Sequence, residues 1–274
     1  MGETTSEPDF VGGFTAAAAS YAELDEAVWG PISTATVARS KPRFDELVLD
    51  ACSGSGASAL PTAELVGPGG VVDAVDFTEA LVEIARERAG ERLPQLRLHV
   101  ADVTEWEPTG YDLVQCVLGV LFFDDLDAGT RHLVERARPG GRVAVTVWGR
   151  GALEPVPEVL ATALPADLAL RLQGGSASPT ISDVDTPGTL AQWLTGLGLV
   201  RVRAEIVRRH LELDDALAWS LVTGTGLRAF LVGLADEELE AVRTRYLAGL
   251  ASREVRTVEL TTLVAVGFRP SADE

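Results

Sequence analysis

Residues 46–56 read ELVLDACSGSG, and this stretch decides the fold. ELVLDA is a short apolar run typical of a buried parallel strand, and a helix is predicted over 57–66. The small residues between them allow a tight turn in which the backbone approaches a ligand closely. The amides at the start of the helix can donate hydrogen bonds to that ligand. The stretch therefore predicts a strand, a binding loop and a helix in direct succession.

The same alternation continues along the chain. Short apolar runs predict further strands over 71–76, 96–102, 111–122 and 142–148, with helices over 78–93 and 126–138. Further helices are predicted over 14–29, 33–40, 157–173, 189–199 and 213–251, and further strands over 200–213 and 255–268. Strands that alternate with helices imply right-handed crossovers. We therefore expect an α/β fold with a doubly wound, mostly parallel, Rossmann-like sheet. We also expect its last strand to be antiparallel.

The charge balance excludes several classes of partner. The chain has 274 residues, with 23 basic and 41 acidic side chains and a net charge of −18. Such a chain repels phosphate backbones and anionic lipid surfaces, so neither nucleic acid nor a membrane is an expected partner. No uncharged apolar run approaches the ~18 residues of a membrane span, and no signal peptide is predicted. We expect a cytoplasmic protein with reduced cysteines.

The rare residue types exclude several kinds of site. Lys41 is the single lysine, and its neighbours Ser40 and Pro42 fit no P-loop. A Tyr-x-x-x-Lys reductase dyad fails because Val37 occupies the tyrosine position. Two cysteines and three histidines show none of the spacings of a zinc site, so no metal is expected.

An acidic residue ends the second predicted strand. Asp76 follows Gly56 by twenty residues, where a carboxylate can accept hydrogen bonds from ribose hydroxyls. The loop and the acid together predict a nucleoside cofactor. Gly54-x-Gly56 followed by Ala59 also fits the dinucleotide fingerprint, so a nicotinamide cofactor remains open at this point.

Five ordered motifs resemble the class I S-adenosylmethionine-dependent methyltransferases. They are VLDACSGSG (48–56), VDAVDFTEALVEIAR (72–86), HVADVTEW (99–106), YDLVQCVLGVLFFDD (111–125) and RPGGRVAVTVWG (138–149). The G-x-x-F-F-x-D pattern after the fourth strand and the Trp-Gly after the fifth are similar to the ubiquinone/menaquinone C-methylase branch of small-molecule enzymes. The resemblance covers about residues 45–150. It departs from the family at Cys52, which replaces the first glycine of the VLDxGCGTG motif, and at Ser53, which replaces its cysteine.

The resemblance implies residues that bind S-adenosylmethionine. The backbone around Ala51, Cys52 and Gly54 would face its methionine part. Asp76 would hold the ribose hydroxyls, and Phe77 would stack beside the adenine.

Further cofactor contacts follow from the other motifs. Asp102, with Val103 after it, would meet the adenine amino group, and Cys116 would lie close to the cofactor. Tyr21 belongs to the N-terminal segment that often covers the cofactor in this family. Simpler interpretations are a helix-capping role for Asp76, a turn role for Asp102 and packing roles for the cysteines.

The resemblance implies methyl transfer to an oxygen, nitrogen or carbon atom of a small molecule, by a monomer or a homodimer. An oxygen acceptor usually needs a general base. His210, His132, Asp124 and Glu154 are candidates, and none is assigned as catalytic. The alternatives are a nicotinamide-dependent oxidoreductase and a non-catalytic binding protein of the same fold.

We expect one domain over 1–274, because no repeat and no long linker interrupts the pattern. The irregular excursion at 150–186 is typical of a lid, and with the segment 14–40 it is expected to set substrate choice. The predicted parts are a loose leader (1–13), an N-terminal helical cap (14–44), a cofactor-binding core (45–150), the lid insertion (150–186) and the C-terminal part of the sheet with a helical insertion (187–274).

Overall fold

The computed structural model describes residues 10–174 and 183–271, and these form two compact units. The sheet unit consists of 25–152, 183–209 and 260–271, and the helical unit consists of 10–24, 153–174 and 210–259. Residues 1–9 of the predicted leader and 175–182 of the predicted lid lie outside the described residues. The single-domain organisation stays a prediction.

The sheet unit contains a seven-stranded sheet in the order β3-β2-β1-β4-β5-β9-β6. Strands β1 to β5 run parallel, whereas β9 is antiparallel to both β5 and β6. The strands are β1 Leu47–Ala51, β2 Val71–Asp76, β3 Leu96–Val100, β4 Tyr111–Val117, β5 Ala137–Trp148, β6 Val200–Val207 and β9 Thr262–Phe268. The predicted α/β fold with a mostly parallel sheet and an antiparallel last strand is confirmed.

Helices cover the sheet because successive strand residues point to opposite faces. Val48 of β1 packs in one apolar cluster with residues of α3, and the adjacent Leu49 packs in the other with residues of α5 and α8. The helices of this unit are a π-helical turn at Asp25–Trp29, α2 Gly30–Ser40, α3 Ala59–Val66, α4 Glu79–Ala89, α5 Leu126–Arg136 and α8 Pro187–Gly196, and there are 3-10 turns at Val103–Glu105 and Val120–Phe122.

The helical unit contains a two-stranded antiparallel sheet of β7 and β8. Its elements are α1 Phe10–Glu23, α6 Val156–Ala163, α7 Ala166–Gly174, β7 His210–Glu212, α9 Asp215–Thr223, a 3-10 turn at Gly226–Phe230, α10 Asp236–Ser252 and β8 Thr257–Glu259. Among the residues that the structure describes, no helix is long and apolar enough to cross a membrane.

Two of the predicted strands each consist of two shorter strands. The segment 200–213 forms β6 and β7, and the segment 255–268 forms β8 and β9, so each leaves one sheet and enters the other. The ladder between β6 and β9 stops at the pair Val207 and Thr262, and a single hydrogen bond from Leu260 N–H to the Arg209 carbonyl (2.7 Å) follows it. Apolar residues continue from Val258 through Leu260 to Val264 across the second break, whereas Arg208 and Arg209 occupy the first. A periodic pattern does not by itself reveal a change of sheet.

Several helix boundaries also differ from prediction. The predicted helix 157–173 ends at Ala163 and restarts at Ala166, because Pro165 cannot continue a helix. Gly30 and Pro31 begin α2 and do not end a helix, as suits a proline in the first turn. The region 213–251 contains two α-helices separated by a 3-10 turn.

Candidate cofactor site

Three neighbouring strands end at the same level of the sheet. Ala51, the last residue of β1, pairs with Val75 of β2 on one side and with Cys116 of β4 on the other. Side chains and loops that follow parallel strands therefore meet at this edge, as they do at the ligand crevices of open α/β sheets. We call the loop over 52–58 the cofactor loop.

The cofactor loop owes its path to left-handed backbone conformations. Cys52, Gly54 and Gly56 have φ angles of +55°, +52° and +87°. Glycine adopts this region freely, whereas a residue with a Cβ atom is strained there by roughly 1–2 kcal/mol. Cys52, which replaces a glycine of the family motif, thus adopts a left-handed conformation at a cost in strain. Gly56 has a second constraint, since a Cβ atom there would lie 2.2 Å from the Leu60 side chain.

Asp76 fastens the cofactor loop to the end of β2. Its Oδ2 accepts a hydrogen bond from Gly54 N–H and its Oδ1 accepts one from Thr78 N–H, both at 2.8 Å. The residue is buried, and this burial raises the pKa of its carboxyl group despite those two hydrogen bonds. Each carboxylate oxygen retains a second lone pair, so Asp76 can still accept from a ligand.

Ser53 lies at the centre of the loop and was not selected from the sequence. Its N–H donates to the Val75 carbonyl at 3.1 Å, which fixes the residue beside β2. Its hydroxyl is buried and has no hydrogen-bond partner among the described residues. A buried unpaired hydroxyl costs about 1–3 kcal/mol, which makes Ser53 a candidate to bond a ligand. The only sequence signal was a polar residue in a loop of small residues.

Asp50 holds the cofactor loop through a hydrogen bond from Ser58. It is fully buried, and its two oxygens accept hydrogen bonds from the Ser58 hydroxyl (3.0 Å) and the Gln115 amide (2.9 Å). The Gln115 carbonyl oxygen in turn accepts from the Ser40 hydroxyl at 3.2 Å. Burial raises the pKa of Asp50 to about 7. These contacts give Asp50 a structural role beneath the loop.

The two cysteines lie side by side although they are far apart in sequence. A hydrogen bond to the Cys116 thiol and burial hold the pKa of Cys52 well above its usual range, and neither cysteine forms a disulfide. A thiol with a raised pKa is a poor nucleophile, so packing is the better interpretation. Gly119 completes the contact, because a Cβ atom there would lie 2.7 Å and 2.8 Å from the Cys52 and Cys116 sulfur atoms.

The turn after β3 lies next to the end of β2, since Ala101 N–H donates to the Asp76 carbonyl at 3.0 Å. Asp102 is exposed, and its Oδ1 accepts from Thr104 N–H (2.8 Å) and the Thr104 hydroxyl (2.7 Å). Val103 is buried, and Phe77 is half-buried just beyond Asp76. The structure thus brings eight of the nine predicted positions to one edge of the sheet, and their contacts with a cofactor stay predictions.

Tyr21, the ninth predicted position, lies on α1 in the helical unit. There its ring packs edge-on against Phe14 with a centroid distance of 6.3 Å. Its contact with a cofactor stays a prediction.

The π-helical turn reaches the cofactor loop through residues that the sequence did not indicate. Asp25 Oδ1 lies 3.0 Å from an Arg88 nitrogen and 3.4 Å from the Ser55 hydroxyl. The same guanidinium donates to the Ser55 carbonyl and hydroxyl oxygens at 3.3 Å and 3.1 Å. Part of the predicted N-terminal cap therefore contacts the loop.

None of the candidate bases is assigned as catalytic by its surroundings. The Nε2 atom of His132 lies 3.0 Å from the Trp106 carbonyl oxygen. His210 is exposed on β7, and Asp124 and Glu154 are also exposed. Within 10–174 and 183–271, no group of three or more His, Cys, Asp or Glu side chains could hold a metal ion.

Comparison with known proteins places this geometry in a family. A family model described as a methyltransferase domain matches residues 48–141. Nocamycin O-methyltransferase of Saccharothrix syringae is 30% identical over 233 residues, which are 77% of this chain and 80% of that protein. A demethylmenaquinone methyltransferase of Clavibacter sepedonicus is 27% identical over 211 residues, which are 70% of this chain and 82% of that protein.

A solved structure shares the fold. The YcgJ protein from Bacillus subtilis superposes with a TM-score of 0.57 at 14% identity, covering 88% of this chain and 99% of that one. The matched domain contains the cofactor loop and the strand ends around Asp76. With a relative 30% identical over most of its length, these matches confirm the predicted family. The chain belongs to the class I S-adenosylmethionine-dependent methyltransferases.

Proposed function

We propose that the cofactor loop, Asp76 and Ser53 bind S-adenosylmethionine, and that the enzyme methylates an oxygen atom of a small molecule. One observation carries the proposal. At the level where β1, β2 and β4 end, the Asp76 carboxylate accepts a hydrogen bond from the Gly54 amide, and the neighbouring Ser53 hydroxyl is buried with no partner in the part of the chain that the structure describes. The loop is therefore preformed, and the Ser53 hydroxyl and the remaining lone pairs of Asp76 are left for a ligand.

The charge of the site favours S-adenosylmethionine over a dinucleotide. A dinucleotide presents its pyrophosphate to the amides of the glycine loop. Here the Gly54 amide is already bonded to a carboxylate at 2.8 Å, and a pyrophosphate would meet that negative charge. S-adenosylmethionine instead carries a positive sulfonium and a positive ammonium group, which suit an edge lined by Asp76 and Asp102.

The predicted roles follow from the hydrogen-bonding capacity that these residues retain. Asp76 would accept the two ribose hydroxyls through its remaining lone pairs, and Ser53 would bond the polar part of the cofactor that lies over the loop. Asp102 has one oxygen engaged by Thr104, which leaves the other for the adenine amino group. Phe77 would cover the adenine ring.

When bound, S-adenosylmethionine supplies an electrophilic methyl group. The residues of this chain then need only hold the donor and the acceptor in line and keep water out, which can lower the barrier by several kcal/mol. The choice of oxygen as acceptor rests on the relative named an O-methyltransferase. We keep a carbon acceptor as the second candidate, because another relative is a demethylmenaquinone methyltransferase.

Substrate choice is assigned to the segments 14–40 and 150–186. An Arg150–Asp185 ion pair with a 2.6 Å contact ties the two ends of the second segment together. The enzyme would work in the cytoplasm, where Cys52 and Cys116 stay reduced. Dimerisation is a prediction that sedimentation of the purified chain can test.

The proposal is tested by calorimetry with S-adenosylhomocysteine, with NADH as the competing ligand, on the wild type and on Ser53→Ala. We expect the wild type to bind S-adenosylhomocysteine and not NADH, and we expect Ser53→Ala to bind it several-fold more weakly. Ser252→Ala, an exposed serine of α10, is the control and should bind like the wild type. Preferential binding of NADH would contradict the proposal. Equal affinities for Ser53→Ala and the wild type would remove Ser53 from the site.

A further inference from the structure

A second cleft lies at the opposite end of the sheet from the cofactor loop. It has a volume of about 450 Å³ and lies within the sheet unit. Phe268 in its wall pairs with Arg142, near the start of the regular part of β5, and with Val200 at the start of β6. The cofactor loop follows the carboxyl end of β1, so the cleft is separate from the cofactor site.

The floor of the cleft is apolar. Alternate residues of β9, namely Val264, Val266 and Phe268, line it, and the last turn of α2 closes one side. Helix α8 packs on β6 and β9, where Leu190 and Leu194 join a cluster with Val202 and Ala204. Along β6, Val202 and Ala204 alternate with Arg201, Arg203 and Glu205. These three charged residues are exposed and line the cleft.

The rim is strongly basic for so acidic a chain. Six of the 23 basic side chains line the cleft, and Glu205 is the one acidic residue among the described residues of its lining. The six are Arg39, Lys41, Arg43, Arg142, Arg201 and Arg203. Because the whole chain carries a net charge of −18, this concentration of cations sets the cleft apart from the rest of the molecule.

Three of these cations interact with a carboxylate or an aromatic ring of the protein itself. Arg39 pairs with Glu205 at 2.9 Å, Arg142 pairs with Glu46 at 2.6 Å, and the Arg201 guanidinium lies 4.6 Å from the centre of the Phe268 ring.

The other three cations are not paired with a carboxylate among the described residues. Among the residues that the structure describes, Lys41, Arg43 and Arg203 have no carboxylate within ion-pair distance, and all three are exposed. They come from two different segments of the chain, yet line one cleft. Their positive charge is therefore available to a ligand.

We propose that this cleft binds a small organic anion, that is, a carboxylate, sulfonate or phosphate joined to an apolar skeleton. The acidic group would bond Lys41, Arg43 and Arg203, and the skeleton would cover the floor at Val266 and Phe268. Concave apolar pockets with a few convergent polar groups are typical ligand sites, and this volume is within their usual range. An inorganic anion would leave the floor exposed to water, and a neutral apolar molecule would leave the cations unused.

The test uses 8-anilino-1-naphthalenesulfonate as the anionic probe and N-phenyl-1-naphthylamine as its neutral counterpart. Fluorescence titrations are done with S-adenosylhomocysteine at a saturating concentration, so that the cofactor site is not available. We expect one sulfonate probe per chain, weaker binding as salt is raised because exposed charges are screened, and no comparable binding of the neutral dye. Equal binding of both dyes would overturn the proposal.

Charge-reversal variants locate the probe. Arg203→Glu and Lys41→Glu should each raise the Kd of the sulfonate at least tenfold. Arg97→Glu, an exposed arginine on the opposite edge strand β3, changes the net charge equally and should alter the Kd less than twofold. Equal weakening by Arg97→Glu would show a general charge effect. A dimer that dissociates in Arg203→Glu, with unchanged dye binding, would assign the cleft to a second copy of the chain. Either result would overturn the proposal, and near-ultraviolet circular dichroism checks that each variant is folded.

Discussion

The two ends of the seven-stranded sheet each bury a charged side chain, and they stabilise it in opposite ways. Near the carboxyl end, Asp50 is fully buried and is bonded by the neutral side chains of Ser58 and Gln115. At the amino end, the Arg142 guanidinium is bonded by the Glu46 carboxylate and by the carbonyls of Ser40 and Lys41.

This difference separates the end at which we place the cofactor, here called the binding end, from an anchoring end, beside which the second cleft lies. The Arg142–Glu46 pair is electrically compensated and ties α2 to the start of the sheet. The hydrogen-bond partners of Asp50 among the described residues are neutral, and burial raises its pKa to about 7. Perturbed pKa values of this kind gather at functional sites. The end with the uncompensated carboxylate is the end at which we place a positively charged cofactor.

The largest expected effect is on the anchoring end. Arg142→Met leaves the Glu46 carboxylate buried without its partner, and breaking a buried pair costs about 3–5 kcal/mol. Denaturant unfolding should show this loss of stability. The matched control is Arg138→Met, which removes an exposed pair with Asp112 and should cost about 0–1 kcal/mol. Similar losses in the two variants would mean that the buried pair does not anchor the sheet.

Next in size is the pH dependence of the binding end. The pKa of Asp50 is raised from 3.8 to about 7, so the folded protein holds this proton more tightly than the unfolded chain. Its contribution to stability is present in full below pH 4 and is lost as the pH rises toward 7, by about 1.4 kcal/mol per pH unit at most.

Asp50→Asn should abolish that loss. The unfolding free energy of the variant, measured from pH 4 to 8, should fall less with rising pH than that of the wild type. Parallel pH profiles would show that Asp50 is ionised throughout and that its neighbours stabilise the charge fully.

The sequence predicted the binding end better than the anchoring end. The cofactor loop lies in one continuous stretch with Asp76 at the end of the next strand, and both predictions follow from local periodicity and turn chemistry. The second cleft joins residues near 40, 142, 201 and 266, and only the folded sheet brings them together. The contact of Asp25 and Arg88 with Ser55 was missed for the same reason.

A smaller effect tests the close packing at the binding end. Gly119 has φ −92°, which any residue can adopt, so the requirement for glycine comes from its contact with the two thiols. Gly119→Ala should destabilise the fold by about 1–3 kcal/mol, because the new methyl group overpacks the site. It should also weaken cofactor binding.

Gly188→Ala is the control for that substitution. Apart from its chain neighbours and its own helix backbone, no atom of the described residues lies within 4 Å of the position where its Cβ would be, and the residue is in the first turn of α8. It should be neutral or stabilising by up to about 1 kcal/mol, since alanine favours helices. Thermal unfolding of both variants decides the point, and a neutral Gly119→Ala would contradict the packing described around Cys52 and Cys116.

The central claim, that Asp76 holds the cofactor, is tested most directly by calorimetric titration of S-adenosylhomocysteine into Asp76→Asn and Asp112→Asn. Both aspartates accept a backbone N–H, Asp76 from Gly54 (2.8 Å) and Asp112 from Leu47 at the other end of the sheet (2.9 Å). Hydrogen bonds to a charged group contribute ~1.5–3 kcal/mol, so Asp76→Asn should weaken binding about tenfold or more. Asp112→Asn should bind like the wild type. Unchanged affinity in a folded Asp76→Asn, or an equal loss in both variants, would contradict the claim.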